Sequence, residues 1–166
     1  MRKILCSALL VLLVILTGCK NNSLNRQNLK DLGIDISDGT IKQSIDTHGG
    51  MGDGSTYIEI EFSDEKAKDM EQGMKENEKW KLLPLTDNLQ TAVYGNKSRE
   101  SLITCFDEEI PAIPDIGKGY YYFYDRHYES KDHFDDTNLF GRYSFNFDVI
   151  IYDLGKHKLY LYQLDT

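Results

Sequence analysis

The sequence predicts an α+β fold, in which an antiparallel sheet of about five or six strands carries one longer and one shorter helix. Three observations predict it. Two runs of alternating apolar and polar residues stand near the start of the polar part of the chain, as half-buried strands do. Two capped segments with helical spacing follow them. Residues 119–166 then contain three strand-like runs in succession, which is typical of an antiparallel meander.

The first two strands are expected at residues 40–47 and 57–62, where apolar and polar side chains alternate. Between them, residues 48–56 contain four glycines, which permit positive φ angles at a hairpin tip. A glycine-rich phosphate loop is the alternative. It is disfavoured because no Lys-Ser or Lys-Thr pair follows and because the next element is a strand rather than a helix.

Two helices are expected between this hairpin and the meander. Ser63 can cap a helix that runs to about Lys79, with two acidic residues in its first turn. A shorter helix should open at Thr86 and end at Gly95. Trp80 should join the core with the thin apolar stripe of the longer helix, which consists of Ala67, Met70 and Met74.

The last third of the chain is rich in aromatic residues. Strands are expected at residues 120–124, 143–153 and 158–164, with a turn at residues 153–156. The middle run should place one set of side chains on a single face: Tyr143, Phe145, Phe147, Val149 and Ile151. Nine of the eleven tyrosines lie from Tyr120 onward, and their rings should cover the sheet. A tyrosine platform for a small ligand or sugar is the alternative.

The charge balance excludes two classes of protein. The 166 residues carry a net charge of −8, and removal of the first eighteen residues, which hold Arg2 and Lys3 and no acid, leaves −10. Such a chain lacks the clustered cations that bind nucleic acid. It also lacks the basic residues that would hold it to anionic lipid. Its apolar content still suffices for one modest core.

The amino terminus has the pattern of a secretion signal. Arg2 and Lys3 precede Ile4 to Leu16, thirteen residues that are apolar except for one serine. As a helix this run is about 20 Å long, too short to span about 30 Å of hydrocarbon. A plain secretory signal, or a short membrane helix with a chance cysteine, would also have such a run.

The next residues, Leu16-Thr17-Gly18-Cys19, resemble the lipobox of bacterial lipoproteins. The resemblance implies cleavage between Gly18 and Cys19 and a diacylglyceryl group on the Cys19 sulfur. Two acyl chains hold a protein stably at a membrane. We therefore expect a lipid-anchored protein on the extracytoplasmic face of the cell membrane.

This interpretation divides the chain into a signal peptide (1–18), a lipid-anchored tether (19–38) and a single globular domain (39–166). The tether is polar, but some of its apolar residues could instead dock on the core: Leu29, Leu32, Ile34 and Ile36. Cys6 leaves with the signal, Cys19 is acylated and Cys105 stands alone, so no internal disulfide forms. Cys105 lies among apolar residues and is expected to be a buried, inert thiol rather than a nucleophile.

Residues 119–166 also resemble the carboxy-terminal part of uncharacterised small lipoproteins of low-GC Gram-positive bacteria. The resemblance covers under a third of the chain and implies a small lipid-anchored domain with no activity that carries over. It rests on four short segments: Gly119-Tyr120-Tyr121, Asp125-Arg126-His127, Arg142-Tyr143-Ser144-Phe145-Asn146-Phe147 and Leu164-Asp165-Thr166.

The best candidate for chemistry is the acidic loop from Asp125 to Asn138. Imidazoles with carboxylates suit zinc, and oxygens alone suit calcium. The spacing matches no helical zinc pair or EF-hand loop. A solvated acidic loop is therefore favoured and no cofactor is expected, with a divalent metal as the alternative. Arg126 would pair with a neighbouring carboxylate. The candidate ligands are Asp125, His127, Glu129, Asp132, His133, Asp135 and Asp136.

The leading functional hypothesis is a non-catalytic binding module for a protein or cell-envelope component. Its acidic surface would favour a cationic partner. The alternative is a small metal-dependent hydrolase that uses His127 and His133. No Gly-x-Ser-x-Gly motif marks a serine nucleophile.

Overall fold

The computed structural model describes residues 32–95 and 106–166, which form a six-stranded antiparallel sheet with one helix packed on each face. The predicted α+β fold, with five or six strands and two helices of unequal length, is confirmed. The spatial order of the strands is β1-β2-β6-β5-β4-β3. In chain order the elements are β1 (Thr40–Asp46), β2 (Gly54–Glu61), α1 (Asp64–Glu76), β3 (Trp80–Leu82), α2 (Asp87–Tyr94), β4 (Gly119–Asp125), β5 (Asn146–Asp153) and β6 (Lys158–Asp165).

The pairing of β2 with β6 joins the amino-terminal hairpin to the carboxy-terminal meander. The two strands pair along their whole length, from Gly54 opposite Asp165 to Glu61 opposite Lys158. On the other side of β6, β5 and β4 follow as successive antiparallel neighbours, as the meander predicts. The central strands are therefore hydrogen-bonded on both edges.

Each face of the sheet has its own hydrophobic core. On one face, Phe147, Val149 and Ile151 pack with the buried stripe of α2. On the other face, Ile150 and Tyr152 pack with Met70, Met74 and the Ile58 and Ile60 side of β2. Because both faces are covered, the middle strands are almost wholly buried and do not show the alternating exposure of a one-sided sheet. Most of the tyrosine rings that the sequence places in β4, β5 and β6 are buried in these two cores, as predicted.

The helix boundaries follow the caps seen in the sequence. The Ser63 hydroxyl accepts a hydrogen bond from the Lys66 N–H at the start of α1, and Thr86 caps α2 in the same way. Gly95 ends α2 with a φ of 79°. The longer helix stops at Glu76, earlier than expected, because Asn77 is extended and the chain enters β3 at Trp80. This short strand was not predicted.

The first strand is more exposed than a half-buried strand. Six of its seven residues are exposed, and 52% of Ile41 is open to solvent. The reason is its position at the outer edge of the sheet, where only Ile45 reaches the core. The half-buried alternation expected for residues 40–47 is therefore wrong for most of this strand.

The packed domain begins earlier than expected. Leu32 is 1% exposed, and its carbonyl accepts hydrogen bonds from the Trp80 indole at 2.8 Å and the Asn77 amide at 2.9 Å. Ile34 and Ile36 pack against the same core. Of the two alternatives for the polar segment, docking on the core therefore describes these three residues, and packed side chains occur before residue 38. Leu29, Cys6, Cys19 and Cys105 lie outside the described residues.

Candidate functional site: the loop end of the sheet

The β1–β2 and β4–β5 connections meet at one end of the sheet, which we call the loop end. The register places Asp46 opposite Thr56, and both Gly54 and Asn146 opposite Asp165. The hairpin tip (47–53) and the long connection (126–145) therefore emerge side by side. Gly52 has a φ of 93°, so glycine serves the hairpin turn, as the hairpin interpretation requires.

A charged network crosses the loop end. The Arg126 guanidinium lies 3.0 Å from Asp148 through Nε and 2.7 Å from Asp165 through Nη1. The His48 ring links the same Asp165, at 3.1 Å from Nε2, to Asp46, at 2.6 Å from Nδ1. Chain segments far apart in sequence are joined in this way, since His48 belongs to the hairpin tip and Asp148 and Asp165 to β5 and β6.

Burial and pairing shift the protonation of this network. Burial raises the pKa of Asp148 to about 6, against the opposing effect of Arg126. Burial also acts to raise the pKa of Asp165, but hydrogen bonds and charge from Arg126 lower it overall. For His48, burial acts to lower the pKa, and the hydrogen bonds to Asp46 and Asp165 raise it overall. The network therefore holds an acid, Asp148, whose pKa is raised to about 6, and a base, His48, whose pKa is raised above its usual value.

The free energy of unfolding should fall as the pH rises from about 5 to about 6, and should fall further as His48 loses its proton. Folded Asp148 keeps its proton to about pH 6, whereas an unfolded aspartic acid loses it near 4, so the folded state binds more protons in this window. The raised pKa of His48 acts in the same direction, because its stabilisation is present below about pH 6.5 and is lost above. The lowered pKa of Asp165 matters only in stronger acid, where its stabilisation is lost.

Urea unfolding at several pH values checks this expectation. The variant Asp148→Asn should show a shallower decrease of stability with pH than the wild type, because one of the two titrating groups is gone. The variant Asp69→Asn, in an exposed position of α1, serves as the control and should keep the wild-type slope. Equal slopes in all three proteins would contradict the role given to Asp148.

A second ion pair fixes the long connection to the end of β4. Asp125 is 3% exposed, and both of its carboxylate oxygens are bonded by the Arg142 guanidinium, one of them at 2.8 Å. The same carboxylate accepts the His127 N–H at 3.0 Å. Burial acts to raise the pKa of Asp125, but Arg142 and the His127 N–H lower it overall. Asp125 is therefore a buried carboxylate whose charge is balanced by one arginine.

The other candidate ligands of the acidic loop have separate partners. His127 stacks on Tyr128 at 4.9 Å and accepts the Glu129 N–H through Nδ1. His133 stacks on Tyr124 at 5.1 Å, and its Nδ1 lies 2.5 Å from the Asp125 carbonyl. The two imidazoles therefore engage different rings of the loop end.

The remaining acids of this loop shape its backbone. Asp132 and Asp135 accept N–H groups two residues further along, and Asp136 bonds the Thr86 hydroxyl at the start of α2. Within residues 32–95 and 106–166, no group of three or more His, Cys, Asp or Glu side chains is arranged to hold a metal ion.

Sequence reasoning missed the two arginines as organising residues. Arg126 was expected to pair with a neighbouring carboxylate, but it reaches β5 and β6 instead of the acidic loop. Arg142 was noted only as part of a segment that resembles small lipoproteins. The sequence does show an arginine near each end of a loop rich in acidic residues. It does not show which carboxylates the arginines pair with, because that depends on the order of the strands.

A surface pocket of about 470 Å³ opens beside the hairpin tip. Four of its lining side chains are carboxylates and none is a cation. The lining residues are Thr47, Asp53, Gly54, Asp107, Glu109, Leu164, Asp165 and Thr166.

Exposed apolar side chains also concentrate at the loop end. Six large apolar residues are exposed among the described residues, and four of them stand on the two connections: Met51 (96%), Tyr128 (86%), Phe140 (43%) and Tyr143 (108%). We call these four the aromatic rim. Ile41 and Leu82, the other two, lie toward the opposite end of the sheet. The exposure of Tyr143 corrects its expected place on the inward face of β5, which begins only at Asn146.

No protein-family model matches the chain, and neither a curated protein nor a solved structure does so. Across residues 32–95 and 106–166, no helix combines the length and apolar character needed to cross a membrane.

Proposed function

We propose that the protein is a lipid-anchored, extracytoplasmic binding module without catalytic activity, whose partner is a protein or a cell-envelope component. One observation supports the lipid anchor, namely the order of features at the amino terminus. Arg2 and Lys3 come first, a thirteen-residue apolar run follows, and Leu-Thr-Gly-Cys ends at Cys19. Each of these features has the position that lipoprotein processing requires.

The number of residues between Cys19 and the core limits how far the anchored domain can lie from the bilayer. Twelve residues lie between Cys19 and Leu32, the first described residue of the core, and this length of chain spans at most about 45 Å. A mature chain with a net charge of −10 is repelled by anionic lipid. It is attracted to a cationic partner, and the field of its charges speeds their encounter.

The substitution Cys19→Ala should abolish acylation and leave the protein uncleaved or free of the membrane. Without the thiol there is no atom to receive the diacylglyceryl group. Metabolic labelling with a fatty-acid probe, followed by membrane fractionation, measures this directly. Cys105→Ala is the matched control and should label like the wild type. Unchanged labelling of the Cys19→Ala chain, or a native protein that begins at an unmodified Met1, would refute the anchor.

A further inference from the structure

The negative charge of the described residues is concentrated at the loop end. Residues 46–56, 106–109 and 125–148 together with Asp165 contain twelve carboxylates and three cations, a net charge of −9. The rest of the described residues contain thirteen carboxylates and nine cations, a net charge of −4. Arg126 and Arg142, two of the three cations at the loop end, are already paired with carboxylates. The surface that remains is strongly anionic.

The aromatic rim stands within this anionic surface. Tyr128 and Tyr143 are almost fully open to solvent, although most of the aromatic side chains of the sheet are buried. The ring of Tyr128 is positioned by stacking on His127, and the backbone beside Tyr143 is held by the Arg142–Asp125 pair. The two tyrosines of the rim therefore lie on a connection that is anchored to the sheet. Tyrosine is enriched among the residues of protein-binding surfaces.

The charge decides between the candidate occupants. A second copy of this chain would bring the same net charge of −9 against the rim, and an anionic bilayer would be repelled in the same way. A segment with arginine or lysine side chains fits both the negative charge and the exposed tyrosine rings. Its cations can lie over the tyrosine faces while their charge meets the surrounding carboxylates.

We propose that the aromatic rim docks an arginine- or lysine-rich segment of a partner protein. The rim, formed by Met51, Tyr128, Phe140 and Tyr143, supplies the apolar contact, and nearby acids such as Asp53 and Glu129 supply the charge. This inference rests on the proposed function for its compartment and specifies the partner's chemistry.

Fluorescence anisotropy with the full chain in detergent tests the proposal. The probe is a fluorescein-labelled decapeptide of alternating arginine and alanine, and a second peptide carries glutamine in place of arginine. The arginine peptide should bind, with an affinity that falls as salt rises, and the glutamine peptide should not. The double variant Tyr128→Ala/Tyr143→Ala should weaken binding about tenfold. The control Ile41→Ala/Leu82→Ala removes two exposed apolar side chains away from the rim and should bind like the wild type.

A charge series separates the rim from a general attraction to an acidic protein. Asp53→Asn/Glu129→Gln should weaken binding and reduce its salt dependence, whereas Glu65→Gln/Asp69→Asn, with the same change of net charge on α1, should not. Equal losses in the two pairs would overturn the proposal. So would equal binding of both peptides, binding to phosphatidylglycerol vesicles in place of the peptide, or a dimer that Tyr128→Ala/Tyr143→Ala dissociates. Because these measurements do not depend on acylation, their failure is distinct from a failure of the Cys19 experiment.

Discussion

Phe147→Asp is expected to abolish cooperative folding. Phe147 is fully buried, and its ring lies 6.0 Å from those of Phe106 and Phe123 and 6.4 Å from that of Phe145. An aspartate there loses these contacts and places a charge in an apolar core. Such a change costs more than about 4 kcal/mol, against a total stability of about 5–15 kcal/mol for a typical domain. Circular dichroism during thermal unfolding should show no cooperative transition.

Tyr143→Asp is the matched control, since the same alternating run of sequence contains both residues. Tyr143 is fully exposed, so the free energy of unfolding should change by no more than about 0.5 kcal/mol. A Phe147→Asp protein that unfolds at the wild-type temperature would show that the facing of β5 is wrong.

Arg142→Gln should destabilise the domain by about 3–5 kcal/mol. The substitution leaves Asp125, 3% exposed, without the guanidinium that bonds both of its oxygens. A neutral glutamine offers no charge to balance a buried carboxylate, and loss of one partner of a buried pair costs more than the pair contributes. Urea unfolding at neutral pH measures the loss.

Two further variants define the origin of this effect. Lys75→Gln breaks an exposed pair with Glu71 at 2.8 Å and should cost no more than about 0.5 kcal/mol. Adding Asp125→Asn to Arg142→Gln removes the unpaired charge and should recover part of the stability. If Arg142→Gln costs no more than Lys75→Gln, the pair is not a structural determinant of the loop end.

The sequence predicts the elements whose signals are local. Ser63, Thr86 and Gly95 mark helix ends because a cap satisfies the backbone groups of the nearest turn. The Ile58 and Ile60 face of β2 follows from alternation within a single strand. Each of these signals spans only a few residues, so it can be recognised without knowledge of the rest of the fold.

Features that depend on distant contacts were left open by the sequence. Leu32 could belong either to a polar tether or to the core, and its burial together with the Trp80 indole that donates to its carbonyl shows that it belongs to the core. The alternation of apolar and polar residues in the sequence extends from β5 back to Tyr143. Hydrogen bonding to the end of the chain extends back only to Phe145, which bonds Thr166. Pairing, rather than pattern, therefore fixes where β5 begins.

The candidate site was predictable in composition but not in arrangement. The acidic loop and its two histidines are visible in the sequence, whereas the partners of Arg126 come from β5 and β6. Which carboxylates an arginine reaches depends on strand order, and strand order depends on tertiary packing. The exposure of the aromatic rim also depends on tertiary packing.

The pairing of β2 with β6 affects the order in which the sheet can form. These neighbours are separated by about one hundred residues of chain, and β6 is also the partner of β5. Because β6 lies between β2 and β5 in the sheet, no other strand pairing joins β1 and β2 to β3, β4 and β5. A polypeptide that emerges amino terminus first must therefore present β6 before its two groups of strands can join into one sheet.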